Sequence, residues 1–170
     1  MRERPAAHSL LPSEGMIRIS KILVAVDFSS ESKAAVGYAV TLAKALQSTV
    51  TLFHVFEMPA LMNSIVPGAD NAVDATRDRA GAQSWLEELR AATQQHSAVE
   101  MSVVVEHGSP AQGIVSASRD GGFDMIVMGT HGRTGLRHVV MGSVAEAVVR
   151  RALCPVLTIH LPVPEGRSPR

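Results

Sequence analysis

The segment "FDMIVMGTHGRTGLRHVVMGS", residues 123 to 143, determines how the rest of the chain is interpreted. Its first seven residues form a short apolar run that ends in glycine, a pattern typical of a strand buried on both faces. Further glycines follow at 132, 135 and 142, and "SVAEAVVRRAL" (143 to 153) then has helical spacing. We therefore predict a buried strand, a glycine-rich loop and a helix that begins near Ser143.

The same alternation of strand and helix extends over most of the chain. Strands are predicted over residues 21–27, 49–56, 100–108, 123–129 and 155–159, and helices over 31–47, 70–96, 109–120 and 143–153. Residues 57–69 contain two prolines and a glycine and are predicted to form a mobile loop. This order predicts one α/β domain, a doubly wound five-stranded parallel sheet with helices on both faces, Rossmann-like in class.

The first predicted helix also indicates which of its side chains face the core. Apolar residues recur at helical spacing, and we expect them to form one face: Ala35, Tyr38, Ala39, Leu42, Ala43 and Leu46. Ser29 or Ser30 is placed to cap the start of this helix.

Composition limits the classes of protein to which the chain can belong. Its 170 residues are 46% hydrophobic, which is enough for one hydrophobic core. We predict a single domain over residues 21–160, with a flexible extension before it (1–20) and a flexible tail after it (161–170). Acidic and basic residues number 16 each, which argues against a protein built to coat nucleic acid or a membrane.

The single cysteine, Cys154, favours a reducing compartment and predicts a cytoplasmic location. No secretion signal or membrane span is evident, and both Met1 and Met16 stay open as translation starts.

The spacing of the glycines predicts an anion site. It reads Gly129, two residues, Gly132, nine residues, then Gly142 and Ser143. A helix start presents unpaired N–H groups and the positive end of the helix dipole, which suit a phosphate. Ser143 is either a hydroxyl donor to that phosphate or the helix N-cap. Lysine is absent after Lys44, which excludes a P-loop, and the alternative interpretation is that the glycines only form turns.

Several short motifs make the interpretation more specific: "ILVAVDFS" (22–29), "HV" (54–55), "G-x-P" (108–110), "MGTHGR" (128–133) and "CPVL" (154–157). With these motifs residues 21–160 resemble the universal stress protein family, and the glycine spacing matches its ATP-binding subgroup. The resemblance implies an adenine nucleotide alpha hydrolase-like fold that binds ATP. It implies these contacts: Gly129, Gly132, Gly142 and Ser143 to the triphosphate, Asp27 to the ribose, and the backbone of Val55 to adenine.

The residues alone leave alternatives for several of these positions. Asp27 follows the first strand, where such sheets bind ligands, but a carboxylate there also suits a helix cap. Val55 alone would be interpreted as a core residue. Arg133, and similarly Arg137, either neutralises the phosphates or is a solvated loop charge. No role can be assigned to His131, and the histidines have no metal-ligand spacing, so we expect no protein-built metal site and any Mg²⁺ to arrive with ATP.

These observations predict a nucleotide-dependent regulatory protein that supports survival under stress, with an unidentified protein partner. A slow ATPase and a nucleotide-free interaction module are the alternatives, although no catalytic base is evident beside the glycines. The apolar run "PVLTI" (155–159) predicts an edge strand through which the chain forms a homodimer, as the family resemblance also implies.

Overall fold

The computed structural model describes residues 18–57, 71–131 and 141–161, with residues 71–78 described by their backbone alone. Five strands lie in these ranges: β1 (Lys21–Ala25), β2 (Thr49–Phe56), β3 (Met101–His107), β4 (Met125–Gly129) and β5 (Val156–Ile159). Four helices alternate with them: α1 (Ser30–Leu46), α2 (Asn71–Gln94), α3 (Pro110–Asp120) and α4 (Ser143–Arg151). The predicted order of elements is confirmed, and the predicted ends differ by at most two residues.

The strands form one parallel sheet in the order β3-β2-β1-β4-β5. The chain runs outward from β1 to β3, crosses back to β4 beside β1, and ends at β5 on the other edge. The direction of winding therefore reverses between β1 and β4, which confirms the doubly wound class. In such sheets the carboxyl ends of the two strands at the reversal open a crevice.

Each face of the sheet is covered by two helices. One core contains Ile22 and Val24 of β1 and the inner faces of α1 and α2, including Leu86. The other contains Leu23 of β1 with α3 and α4, including Val148. Alternate residues of β1 thus enter opposite cores, which explains why its sequence is a continuous apolar run.

Helix α1 is rotated from the face that its sequence predicts. It buries Ala35, Val36, Ala39, Val40 and Ala43 against the sheet. Tyr38 and Leu46 were expected on the inner face but are 56% and 41% exposed. Small alanines allow the helix to approach the sheet closely, so the buried stripe is centred on Ala35, Ala39 and Ala43, and the larger Tyr38 lies at its solvent side.

Some predictions lie outside the described ranges. They are the flexible extension up to residue 17, the tail after residue 161 and most of the predicted loop at 57–69. Within the described ranges, none of the helices has both the length and the apolar character needed to cross a membrane.

Candidate functional site

A crevice opens at the carboxyl ends of β1 and β4, where the winding of the sheet reverses. The residues that line it come from the sheet, from the loops at its strand ends and from the layer formed by α3 and α4: Ala25, Val26, Asp27, Phe53, His54, Val55, Pro110, Ile114, Met128, Gly129, Thr130, His131, Gly142, Ser143, Val144 and Ala145. Most of this lining is apolar, and polar groups enter it after β1 and at the start of α4. A mainly apolar crevice with a few convergent polar groups is typical of a small-molecule site.

A tight turn after β1 holds Asp27 at the crevice. Its Oδ1 accepts hydrogen bonds from the Ser29 backbone N–H at 3.1 Å and from the Ser29 hydroxyl at 2.6 Å. Phe28 has a φ of 70°, a left-handed conformation that is strained for an aromatic residue. Its ring packs 4.6 Å from that of Trp85, which helps to offset the strain. The turn therefore fixes both the carboxylate and the direction of α1.

Ser29, not Ser30, is the N-cap of α1, and its side chain accepts from the backbone N–H of Ser32 at 3.1 Å. Asp27 does not cap the helix directly, although its carboxylate orients the residue that does. Both hydrogen bonds from Ser29 go to Oδ1. Among the described residues no donor to Oδ2 is seen, and Asp27 lines the crevice. The two interpretations of Asp27, ligand contact and helix support, are thus compatible.

The start of α4 faces the crevice from the opposite side. Gly142 is the N-cap, with φ −70° and ψ 155°, and it has no side chain to accept from the first turn. Its own N–H donates to the Thr130 carbonyl at 2.8 Å. The next N–H groups, from Ser143 onward, lack intrahelical acceptors and carry the positive end of the helix dipole. Ser143 is therefore the first helical residue, and of its two predicted roles the one as helix N-cap is wrong.

Gly129 is a glycine for a packing reason. A Cβ added there would lie 2.8 Å from the Cβ of Glu31, closer than such atoms pack. The end of β4 therefore approaches the first turn of α1 more closely than any other residue type would permit. Gly129 therefore has a packing role in the fold, in addition to any contact that its backbone makes with a ligand.

The residue after Gly129, Thr130, joins three parts of the fold. Its N–H donates to the Ile159 carbonyl at 2.9 Å, its carbonyl accepts from Gly142, and its hydroxyl donates to Glu31 Oε2 at 3.1 Å. Glu31 Oε2 also accepts from the His131 N–H at 2.6 Å. Burial raises the pKa of Glu31, but hydrogen bonds from the His131 backbone, Thr130 and the His131 ring outweigh it, so this pKa lies below its usual range.

Val55 is buried, as expected for a core residue, and still reaches the crevice. Its side chain packs beneath Gly113 of α3, where an added Cβ would lie 2.9 Å from a Val55 methyl. The pairing of β1 with β2 ends at Ala25 and Phe53, whereas β2 continues to Phe56. The backbone of Val55 thus lies past the end of β1, on the side of the crevice.

Five of the seven predicted site residues line the same crevice: Asp27, Val55, Gly129, Gly142 and Ser143. The other two, Gly132 and Arg133, lie outside the described residues, as does Arg137. Sequence reasoning missed Thr130 and the apolar wall that contains Ile114 and Met128. The wall gives no motif because its residues look like ordinary core positions until the topology brings them together.

Comparison with known proteins identifies the relatives of the chain. A model of the universal stress protein family matches residues 18–160. A universal stress protein of Methanocaldococcus jannaschii is 30% identical over 145 residues, covering 85% of this chain and 84% of that protein. The structure of UspA from Lactobacillus plantarum superposes with a TM-score of 0.74 at 27% identity, covering 84% of this chain and 99% of that one.

A further similar structure contains a bound ligand. It is a universal stress protein in complex with cAMP, with a TM-score of 0.64 and 23% identity, covering 84% of this chain and 97% of that one. At this identity the likeness concerns the fold alone.

Proposed function

We propose that this chain, which belongs to the universal stress protein family, binds ATP in the crevice between β1 and β4 and acts as a nucleotide-dependent regulator of survival under stress. The observation that carries the proposal is the start of α4, an uncapped helix N-terminus that opens into the crevice opposite Asp27. The cAMP complex of a relative with the same fold adds support, since an adenine nucleotide fits that fold.

The phosphates would lie at the start of α4. Gly142 has no side chain in the way, and the N–H groups of Ser143 and the following residues supply donors in a row. The exposed Ser143 hydroxyl adds a further donor. Gly132 and Arg133 complete the phosphate contacts in this proposal, with Arg133 supplying the positive charge that the described lining lacks.

The nucleoside would lie across the ends of β1 and β2. In this proposal Asp27 Oδ2 accepts from a ribose hydroxyl, and the backbone of Val55 pairs with the edge of adenine. Ile114 and Met128 give the base an apolar surface. Asp27 is the one carboxylate in the described lining of the crevice, which is too few for a Mg²⁺ site built by the protein alone. In this proposal Mg²⁺ therefore binds together with the phosphates.

A regulatory role fits this site better than a dedicated ATPase. Fast hydrolysis needs a group that orients a water molecule at the terminal phosphate. Asp27 Oδ1 accepts from Ser29, and Glu31 Oε2 accepts from Thr130 and His131, so these oxygens are already engaged. We therefore propose slow turnover at most, with the bound nucleotide changing a surface that an unidentified protein partner recognises. The single cysteine suits action in the cytoplasm.

We also propose that two copies pair through β5. Pro155 accepts a hydrogen bond from Ile126 of β4, and Ile159 accepts one from Thr130 just after β4. The alternate residues, Val156 and Thr158, therefore direct their backbone groups to the open edge. An open edge of this kind readily adds a second strand. Leu157, at the middle of this strand, packs against the first core, so a charge there would disturb the fold as well as the dimer.

The experiment that tests ATP binding is calorimetric titration of nucleotide-free protein with ATP, ADP and GTP. The proposal predicts one adenine nucleotide per chain, and weaker binding of GTP because the backbone of Val55 pairs with the adenine edge. Failure of all three nucleotides to bind would contradict the proposal and favour the nucleotide-free interaction module.

A further inference from the structure

Behind the crevice, three side chains from distant parts of the sequence meet: Glu31 at the start of α1, His131 after β4 and His160 after β5. Each offers one ligand atom, and these atoms lie within 4.8 Å of one another. Glu31 is buried, the His131 side chain is 16% exposed and the His160 side chain is 57% exposed. The cluster is therefore anchored in the fold and open to solvent on one side.

The carboxylate of Glu31 is too far from either imidazole for a good hydrogen bond, and each Nδ1 lies instead at hydrogen-bond distance from the Thr130 hydroxyl, 3.0 Å for His131 and 3.1 Å for His160. Glu31 Oε1 lies 3.4 Å from His131 Nδ1 and 3.6 Å from His160 Nδ1. Optimal N–H···O bonds are about 2.9 Å long. A tetrahedral zinc site with bonds of about 2.0–2.1 Å has neighbouring ligand atoms about 3.3 Å apart. The two separations from Glu31 Oε1 are thus close to those of ligands around one ion, and all three ligand atoms lie within 4.8 Å of one another.

The second oxygen of Glu31 is already held in place. Oε2 accepts from the His131 N–H at 2.6 Å and from the Thr130 hydroxyl at 3.1 Å. These two donors turn Oε1 towards both imidazoles. Hydrogen bonds that orient a ligating carboxylate in this way are a general feature of metal sites.

We propose that Glu31, His131 and His160 bind one divalent transition-metal ion, with Zn²⁺ as the best match. Two imidazoles and one carboxylate are a common ligand set for zinc, with a fourth position for water. The exposed side chain of His160 gives solvent access to the site. The site is independent of the proposed nucleotide contacts, although His131 also lines the crevice.

This proposal differs from the expectation of no protein-built metal site. The histidine spacing gave no signal because the three ligands are far apart in the chain, His131 being 100 residues after Glu31 and His160 a further 29 residues on. They meet only because β4 pairs with β5 and the Cβ-free Gly129 lets α1 approach.

The test uses untagged, full-length protein that has been stripped with a chelator and contains no nucleotide. Zn²⁺ is titrated in competition with a chromophoric chelator, and Co²⁺ is added separately as a spectroscopic probe. We expect one Zn²⁺ per chain and the intense visible bands of tetrahedral Co²⁺. His160→Ala is the main variant because its side chain is largely exposed, and circular dichroism checks its fold.

Mutation of a residue that only orients a metal ligand weakens metal binding by about 10- to 100-fold. Loss of a ligand itself should therefore weaken Zn²⁺ binding by about 100-fold or more. His96→Ala is the matched control, since His96 is exposed and lies in the turn after α2, and it should leave the affinity unchanged. Glu31→Gln should weaken binding as His160→Ala does. Unchanged Zn²⁺ affinity in His160→Ala, or no Zn²⁺ uptake by the native chain, would overturn the proposal and identify the cluster as a hydrogen-bonded group.

Discussion

Replacement of Gly142 with aspartate separates the proposed phosphate contact from helix stability. The backbone at Gly142 (φ −70°, ψ 155°) is an extended conformation that any residue adopts. Aspartate is also a better N-cap than glycine by a few tenths of a kcal/mol. Gly142→Asp should therefore keep or slightly raise the melting temperature. Gly142→Asn has nearly the same shape and capping ability but carries no charge, which makes it the matched control.

The expected loss of ATP affinity follows from the position of the new charge. Two like charges about 4 Å apart repel by about 1 kcal/mol in water and about 4 kcal/mol at an effective dielectric constant near 20. The crevice is partly open, so we expect about 2–3 kcal/mol, which weakens binding about 30- to 160-fold. Asparagine competes with the phosphates for the same N–H groups but does not repel them, so its effect should be about tenfold or less.

Calorimetric titration with ATP measures both variants beside the native chain, and thermal unfolding measures their stability. A large loss in Gly142→Asp with a small loss in Gly142→Asn would support phosphate binding at the start of α4. Equal affinity in all three proteins would refute the reasoning, because it would place the phosphates elsewhere. An equal loss in both variants would also refute it, since charge would then have no part.

Other predictions concern stability, thiol reactivity and assembly. Thr130→Val removes the hydroxyl that donates to buried Glu31 and should lower the free energy of unfolding in urea by about 1–3 kcal/mol; an effect no larger than that of exposed Thr41→Val would contradict this. Burial raises the pKa of the Cys154 thiol, so iodoacetamide should alkylate it more slowly in native than in unfolded protein at pH 8, and equal rates would oppose this. Thr158→Pro removes an outward N–H of β5 and should convert the proposed dimer to monomer in sedimentation with an unchanged circular dichroism spectrum; a persistent dimer would count against pairing through this edge.

The fold was predictable because its local signals agree with each other. Buried parallel strands require continuous apolar runs, and Gly and Pro interrupt the chain between elements. The inner face of α1 was harder to predict from the sequence. The spacing of Tyr38 and Leu46 fits a helix face, but the position of that face depends on how closely small alanines let the helix approach the sheet, which is a tertiary property.

The candidate site was predictable where it depends on backbone geometry. The glycine spacing and the strand ends predicted Asp27, Gly129, Gly142 and Ser143, and the topology places all four at one crevice. The role of Gly129 in admitting Glu31 was not predictable, because the contact joins residues about 100 positions apart. The cluster of Glu31 with the two histidines was missed for the same reason.

The most direct test of the central claim is to identify what the protein carries when it is purified without added nucleotide. The protein is denatured, and the released small molecules are separated by chromatography and identified by mass spectrometry. The account predicts ATP near one per chain from the native protein and much less from Gly142→Asp. A native protein that releases no adenine nucleotide, and binds no ATP when it is added, would contradict the account.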